Sequence, residues 1–197
     1  MTWLLVGLGN PGPAYSHTRH NVGFMTADEL ARRAHVAFSA PRGMKADVAE
    51  TRISAGGLGM PGQGEKLVLA KPRTFMNESG QAVFKLVSFF KVAPDHVIAV
   101  HDELDLEFGQ LRLKFSGGDN GHNGLKSLRA HLGTGEFFRV RFGIGRPSGH
   151  QDPADYVLSP IPKRLDQELA LNVTAAADAA EALMNQGLTA AQNTFNE

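Results

Sequence analysis

The stretch Trp3-Leu4-Leu5-Val6-Gly7-Leu8-Gly9-Asn10-Pro11-Gly12 decides the architecture, because an apolar run of strand type empties directly into a glycine-bearing turn. As a pattern it is G-x-G-x-x-G after a strand, the fingerprint of a dinucleotide-binding turn. That chemistry requires the last glycine to open a helix whose free N–H groups face a pyrophosphate. Pro11 and Pro13 have no N–H, and each pushes the residue before it toward an extended backbone. The polar string Tyr15-Ser16-His17-Thr18-Arg19-His20-Asn21 follows, and helical periodicity begins only at about Val22. The acidic residue expected at the end of a second strand is also missing, since Asp28 and Glu29 fall inside that helix. The glycines therefore shape a tight polar loop that presents Asn10 and His20, and no nucleotide cofactor is expected there.

Outward from this loop, strand and helix patterns alternate. Residues 22–34 have helical spacing, 46–53 and 66–71 read as strands, and the glycine-rich tract 54–64 between them reads as a mobile loop. A second helix is expected over 78–90, and 96–100 is a continuous apolar strand of the kind buried on both faces. Residues 110–115 alternate, 121–132 are helical, and 137–144 form a strand. An alanine-rich helix over 163–185 closes at Gly187 in C-cap fashion, and a short helical tail follows. The expected fold is α/β, a single domain over residues 1–197, with a twisted mixed β-sheet sandwiched by α-helices and a C-terminal helix.

Composition narrows the chemistry. A chain of 197 residues that is 42% hydrophobic is long enough for one well-buried core, or at most two small ones. Its 20 basic and 20 acidic residues cancel, so any nucleic acid must be met by a local patch rather than by bulk charge. The absence of cysteine rules out disulfides, thiolate nucleophiles and sulfur-based zinc sites. No apolar run approaches the ~18 residues of a membrane span, and no leader pattern opens the chain, so a cytoplasmic protein is expected.

Four polar clusters sit past strand ends or at helix starts, where open α/β sheets place their sites. They are the loop from Asn10 to Asn21, Lys71-Pro72-Arg73-Thr74-Phe75-Met76-Asn77-Glu78-Ser79-Gly80, His101-Asp102-Glu103-Leu104-Asp105-Leu106, and Gly117-Gly118-Asp119-Asn120-Gly121-His122-Asn123-Gly124-Leu125-Lys126-Ser127. Taken singly, each has a plain structural reading. Asn77 and Asn120 suit helix N-caps, Asp102 suits a self-bonded turn, and His122 suits a satisfied structural histidine. Taken together they offer one or two histidines, a carboxylate and three asparagines, a set suited to acyl transfer to water. A histidine that titrates near neutrality can take a proton from water, and a buried aspartate can fix its tautomer. Asparagine amides can read a peptide backbone and face a developing oxyanion without adding charge. No G-x-S-x-G elbow occurs, so water rather than serine is the expected nucleophile. A metal centre on His17 and His20, joined by His101, Asp102 and His122, is disfavoured, since the spacing of His17 and His20 in a proline-interrupted loop fixes no common face.

The clusters GLGNPGPAYSHTRHNVGF, KPRTFMNESG, HDELDL and GGDNGHNGLKSL, followed by FRVRFGIGRP, resemble the bacterial peptidyl-tRNA hydrolase family in the family's own order, across residues 5 to 147. The resemblance implies hydrolysis of the ester joining a peptide's C-terminus to the 3′-terminal ribose of tRNA, recycling tRNA from aborted translation. It implies His20 as catalytic base and Asp102 as the carboxylate that orients it. Asn10, Asn77 and Asn123 match the asparagines that hold the peptide and the reacting carbonyl, and Tyr15 and Met76 match crevice walls. It further implies a monomer working without metal or organic cofactor. Phe75 stands where tyrosine is common in the family, Asn120 where glycine is common, and Glu107-Phe108 where a proline usually follows.

The expected handle for tRNA, bound at its acceptor stem and 3′ end, is a phosphate clamp. In Leu111-Arg112-Leu113-Lys114-Phe115 strand alternation puts Arg112 and Lys114 on one face, and Arg139-Val140-Arg141-Phe142 repeats the arrangement. By resemblance, Arg112, Lys114 and Arg141 match the family's clamp. The same alternation also suits an ordinary solvated sheet face.

Overall fold

The computed structural model of the chain describes residues 1–196. Its elements are β1 (Thr2–Gly7), α1 (Val22–Ala34), β2 (Ala46–Ser54), β3 (Gly57–Leu58), β4 (Glu65–Pro72), α2 (Ser79–Phe90), β5 (Val97–Glu103), β6 (Leu111–Phe115), α3 (Asn123–Leu132), β7 (Phe138–Gly143), α4 (Pro153–Val157), α5 (Asp166–Gln186) and α6 (Leu188–Phe195). The seven strands form one mixed sheet in the order β3-β2-β4-β1-β5-β7-β6. The central strands β4, β1, β5 and β7 run parallel, and the flanking pairs are antiparallel.

Alternation along the central strands feeds two cores. Trp3 and Leu5 of β1, Leu67 and Leu69 of β4, and Ile98 and Val100 of β5 face α1 and α5. Leu4, Val6, Val68, Ala70, Val97 and Ala99 face α2 and α3 on the other side. Continuous apolar runs are what strands covered on both faces require.

Two close approaches bring the polar clusters together. A Cβ on Gly23 in α1 would lie 2.4 Å from the Val100 carbonyl oxygen, so only glycine lets the start of α1 ride onto the end of β5. A Cβ on Gly80 would lie 2.1 Å from the Ser127 oxygen, which lets α2 and α3 meet at backbone contact, with the Gly80 N–H donating to Ser127 Oγ at 2.8 Å.

Two expectations from sequence are corrected, and one helix was not expected. The strand expected to end at Val100 continues to Glu103, so His101, Asp102 and Glu103 are strand residues rather than a departing loop. The 54–64 tract is not a bare loop, since Gly57–Leu58 pairs with the end of β2. Residues 153–157, unassigned from sequence, form a helix capped by Asp152, whose carboxylate accepts the Ala154 N–H at 3.0 Å.

Candidate active site

Asp102 lies at the end of β5, buried, where continuation of the strand holds its backbone rigid. Its two carboxylate oxygens each take an imidazole. His20 Nδ1–H donates to Oδ2 at 2.7 Å, and His122 Nε2–H donates to Oδ1 at 2.8 Å. Burial alone would raise the Asp102 pKa, but His20 and His122 outweigh it and hold the carboxyl well below the usual range.

The two imidazoles are fixed by different means. His20 sits on the single turn Arg19–Asn21 that leads into α1, and its Nε2 has no partner among the described residues. His122 caps α3, and its Nδ1 accepts the N–H groups of Gly124 at 3.1 Å and Leu125 at 3.3 Å. That nitrogen therefore carries no proton, and His122 is a permanent Nε2–H donor to Asp102. Asn120, read from sequence as a candidate cap, is not one, and neither is Asn77, since no side chain caps α2.

Asn10 is 6% exposed, and its amide is oriented by its neighbours. Oδ1 accepts the Met76 N–H at 2.7 Å, which turns Nδ2 outward as a free donor. The Asn21 side chain brackets the Asn10 backbone, accepting its N–H at 2.8 Å and donating to its carbonyl at 2.9 Å. Met76 is buried against α3, where a Cβ on Gly124 would reach within 2.6 Å of its sulfur. Asn77 is exposed on the turn Met76–Glu78, and Asn123 is exposed as the first residue of α3. Tyr15 meets Phe75 edge-on, with ring centroids 6.5 Å apart. His20, Asp102, His122 and Asn123 share one pocket, whose far wall is Pro153, Ala154 and Val157 of α4. Asn10 borders a neighbouring hollow with Pro11 and Arg73.

Sequence reasoning missed three parts of this site. His122 was legible only as a histidine near a helix start, and its contact with Asp102 needs the tertiary fold. Nothing in the spacing announced Asn21 as the brace for Asn10. The α4 wall is held by long-range contacts, with Tyr156 OH donating to the Ile144 carbonyl at 2.8 Å and the Arg19 guanidinium 4.2 Å over the Tyr156 ring.

His20, Asp102 and His122 place one potential ligand atom each within 4.8 Å of one another, so a cation is geometrically conceivable. The donor set argues otherwise. Each carboxylate oxygen already accepts an imidazole N–H, and the remaining His122 nitrogen is committed to two backbone amides. The arrangement suits proton transfer at His20 Nε2.

A basic sheet face lies beyond the pocket. Arg112 stands directly opposite Arg141, and Lys114 directly opposite Arg139, across the β6–β7 ladder. Like charges in opposed positions destabilise a ladder unless an anion joins them. Arg139 is wholly buried and donates to the carbonyls of Gly117, Gly118 and Gly135, which takes it out of any surface patch. Burial, then the Arg141 and Arg139 guanidiniums, push the Lys114 ammonium below its usual pKa. Arg141 is paired with Glu103 at 3.0 Å.

The peptidyl-tRNA hydrolase family model matches residues 4–197. A peptidyl-tRNA hydrolase from Cutibacterium acnes is 57% identical over 196 residues, covering 99% of this chain and 98% of that protein. One from Mycobacterium sp. (strain KMS) is 54% identical over 190 residues, covering 96% and 94% respectively. The crystal structure of peptidyl-tRNA hydrolase from Acinetobacter baumannii superposes with a TM-score of 0.87 at 33% identity, covering 99% of this chain and 94% of that one. With motifs, fold and whole-length similarity in agreement, this chain belongs to the peptidyl-tRNA hydrolase family.

Proposed function

We propose that this chain hydrolyses the ester between a peptide and the 3′ ribose of tRNA, with water as nucleophile and His20 as general base. The observation that carries the residue roles is the His20 Nδ1 to Asp102 Oδ2 bond of 2.7 Å, which leaves Nε2 unprotonated and facing the pocket. Water gives a proton to Nε2 as its oxygen bonds to the ester carbon. The carbonyl oxygen becomes an oxyanion, met by the outward Asn10 amide, while Asn77 and Asn123 hold the peptide beside the walls Tyr15 and Met76. Collapse breaks the bond to the 3′ oxygen, which takes the proton back from His20. The products are a peptide carboxylic acid, which loses its proton to solvent, and tRNA with a free ribose hydroxyl.

Arg112, Lys114 and Arg141 serve as backbone-phosphate contacts at the acceptor stem. Phosphate contacts position without reading sequence, as an enzyme accepting many tRNAs requires. The chain acts as one domain over residues 1–197, a cytoplasmic monomer without metal or organic cofactor. Among the described residues no helix is long and apolar enough to cross a membrane.

The test is hydrolysis of an N-acetyl-aminoacyl-tRNA beside its unacetylated form, with a chelator present, by wild type and His20→Ala. Chelator-resistant cleavage of the blocked substrate alone, reduced about 10²- to 10⁴-fold in the variant, is the expected result. Activity retained by folded His20→Ala refutes the assignment of the base.

A further inference from the structure

Glu103 follows Asp102 on β5, yet the chemistry at His20 does not use it. It is buried, with a side chain 7% exposed, and every bond it makes is accounted for. Oε1 accepts both Nε and Nη2 of Arg141 at 3.0 Å. Oε2 accepts the Asn120 Nδ2 amide at 3.0 Å and the Asp105 N–H at 3.3 Å. Asn120 uses its second amide hydrogen on Asp105 Oδ2 at 2.7 Å, from a backbone with φ +50 that asparagine tolerates better than most side chains. The carboxylate is thus gripped from behind and presents one oxygen to Arg141.

The Nε/Nη2 edge of a guanidinium is a fork that a phosphate can take in bidentate fashion. Here a carboxylate already holds it. Among the described residues, Arg112 and Lys114 form no salt bridge, so of the three clamp cations Arg141 alone is internally neutralised. Arg141 also needs an anion, because Arg112 stands directly opposite it in the ladder.

We propose that Glu103 is an internal counter-anion that occupies the phosphate-binding edge of Arg141 in the free protein and is exchanged for an RNA phosphate on docking. This rests on the reading of Arg112, Lys114 and Arg141 as phosphate contacts. Exchange of one anion for another gains less than capture by a bare cation. Glu103 therefore weakens the hold on any RNA bound by its backbone, the deacylated tRNA product included, and speeds its release.

The test is binding of deacylated tRNA as a function of salt by wild type, Glu103→Gln, Arg141→Gln and the double variant. Glutamine keeps an acceptor for Arg141 but removes the charge. The expected result for Glu103→Gln is affinity roughly threefold or more higher at low salt, with the salt slope steeper by about 0.9 for the one released cation. The gain must vanish in the Arg141→Gln background. Affinity unchanged or lowered in Glu103→Gln overturns the proposal, since it makes Glu103 a brace that aims Arg141. A gain that persists without Arg141 also overturns it. If Arg141→Gln alone changes neither affinity nor slope, the clamp itself has failed, an outcome distinguishable from failure of the exchange. Glu103→Asp, which withdraws the charge by one methylene, gives a smaller gain of the same sign and stands in if the glutamine variant does not fold.

Discussion

Asp102 faces two N–H donors, and only one of them has a choice of tautomer. His122 is locked, because its Nδ1 accepts two backbone amides at the start of α3. An asparagine at position 102 has one acceptor oxygen for two donors, and the locked His122 claims it. The amide NH2 then faces His20 Nδ1, which must become the acceptor, moving the proton to Nε2, the nitrogen proposed as the base. Asp102→Asn should therefore lower kcat by about 10²- to 10⁴-fold with little change in the fold, checked by single-turnover hydrolysis. Unchanged turnover would make Asp102 a purely structural residue. Asn10 admits an equally isosteric test. Asn10→Asp keeps the oxygen that accepts the Met76 N–H but replaces the outward donor by an oxygen. Loss of a donor to the developing charge is worth about 10²- to 10³-fold, and kcat/KM should fall by at least that amount, with the cost of burying a carboxylate read separately as a lower Tm.

At the scale of elements, the site is assembled by helix starts seated on strand ends. The turn bearing Met76 and Asn77 opens α2, and Asn123 opens α3, so their spacing is set where the two helices touch at Gly80. A methyl group there meets backbone oxygen, and Gly80→Ala should cost about 1–3 kcal/mol and lower kcat as the helix starts part, read by denaturant melts and kinetics together. Preserved stability and rate would show that the contact can relax. The β6–β7 hairpin makes a separate prediction. Replacing Lys114 and Arg141 by alanine should weaken tRNA binding and flatten its salt dependence by about 0.9 for Lys114, with little further flattening from Arg141, whose charge Glu103 already balances in the free protein, and with catalysis at saturating substrate largely kept. An unchanged slope would argue against the clamp. The same elements show what sequence can and cannot announce. Periodicity and apolar runs located the main strands and long helices, because each is a local pattern with one dominant burial face. The continuation of β5 through His101-Asp102-Glu103 was hidden because its polar residues resemble a turn, and only pairing with β7 along Ile98 to Glu103 reveals a strand. The α4 wall was hidden too, since five residues are too few to show a period. The cap of α3 was misassigned between Asn120 and His122 because propensity favours asparagine, while the tertiary demand of Asp102 falls on the histidine.

For the whole molecule, the consequence of burying this cluster is a stability that depends on acid. His101 lies 1% exposed beneath Asp102, its Nδ1–H donating to the Asp102 carbonyl at 2.9 Å and its Nε2 without a partner. Burial, and then the neighbouring His122, push its pKa down to about 3 from an ordinary 6.5. Between those values the unfolded chain holds a proton at this position that the folded chain refuses. Stability contributed by neutral His101 is therefore complete above pH 6.5 and is lost as pH falls, on the order of 1 kcal/mol per pH unit. Asp102 adds to this only further down, below the ordinary carboxylate value, where the unfolded chain takes a proton that the depressed Asp102 of the folded chain does not. The two windows follow one another, so softening should begin well above the pH at which carboxylates titrate. For a domain of this size each kcal/mol is worth about 2–4 °C, and Tm should decline steadily from pH 6.5 to pH 5. His101→Asn keeps a donor for the Asp102 carbonyl and removes the titrating ring. Its Tm should start lower, from the cavity left behind, and vary less over the same interval. If variant and wild type decline in parallel, the proton refused by the fold is refused elsewhere.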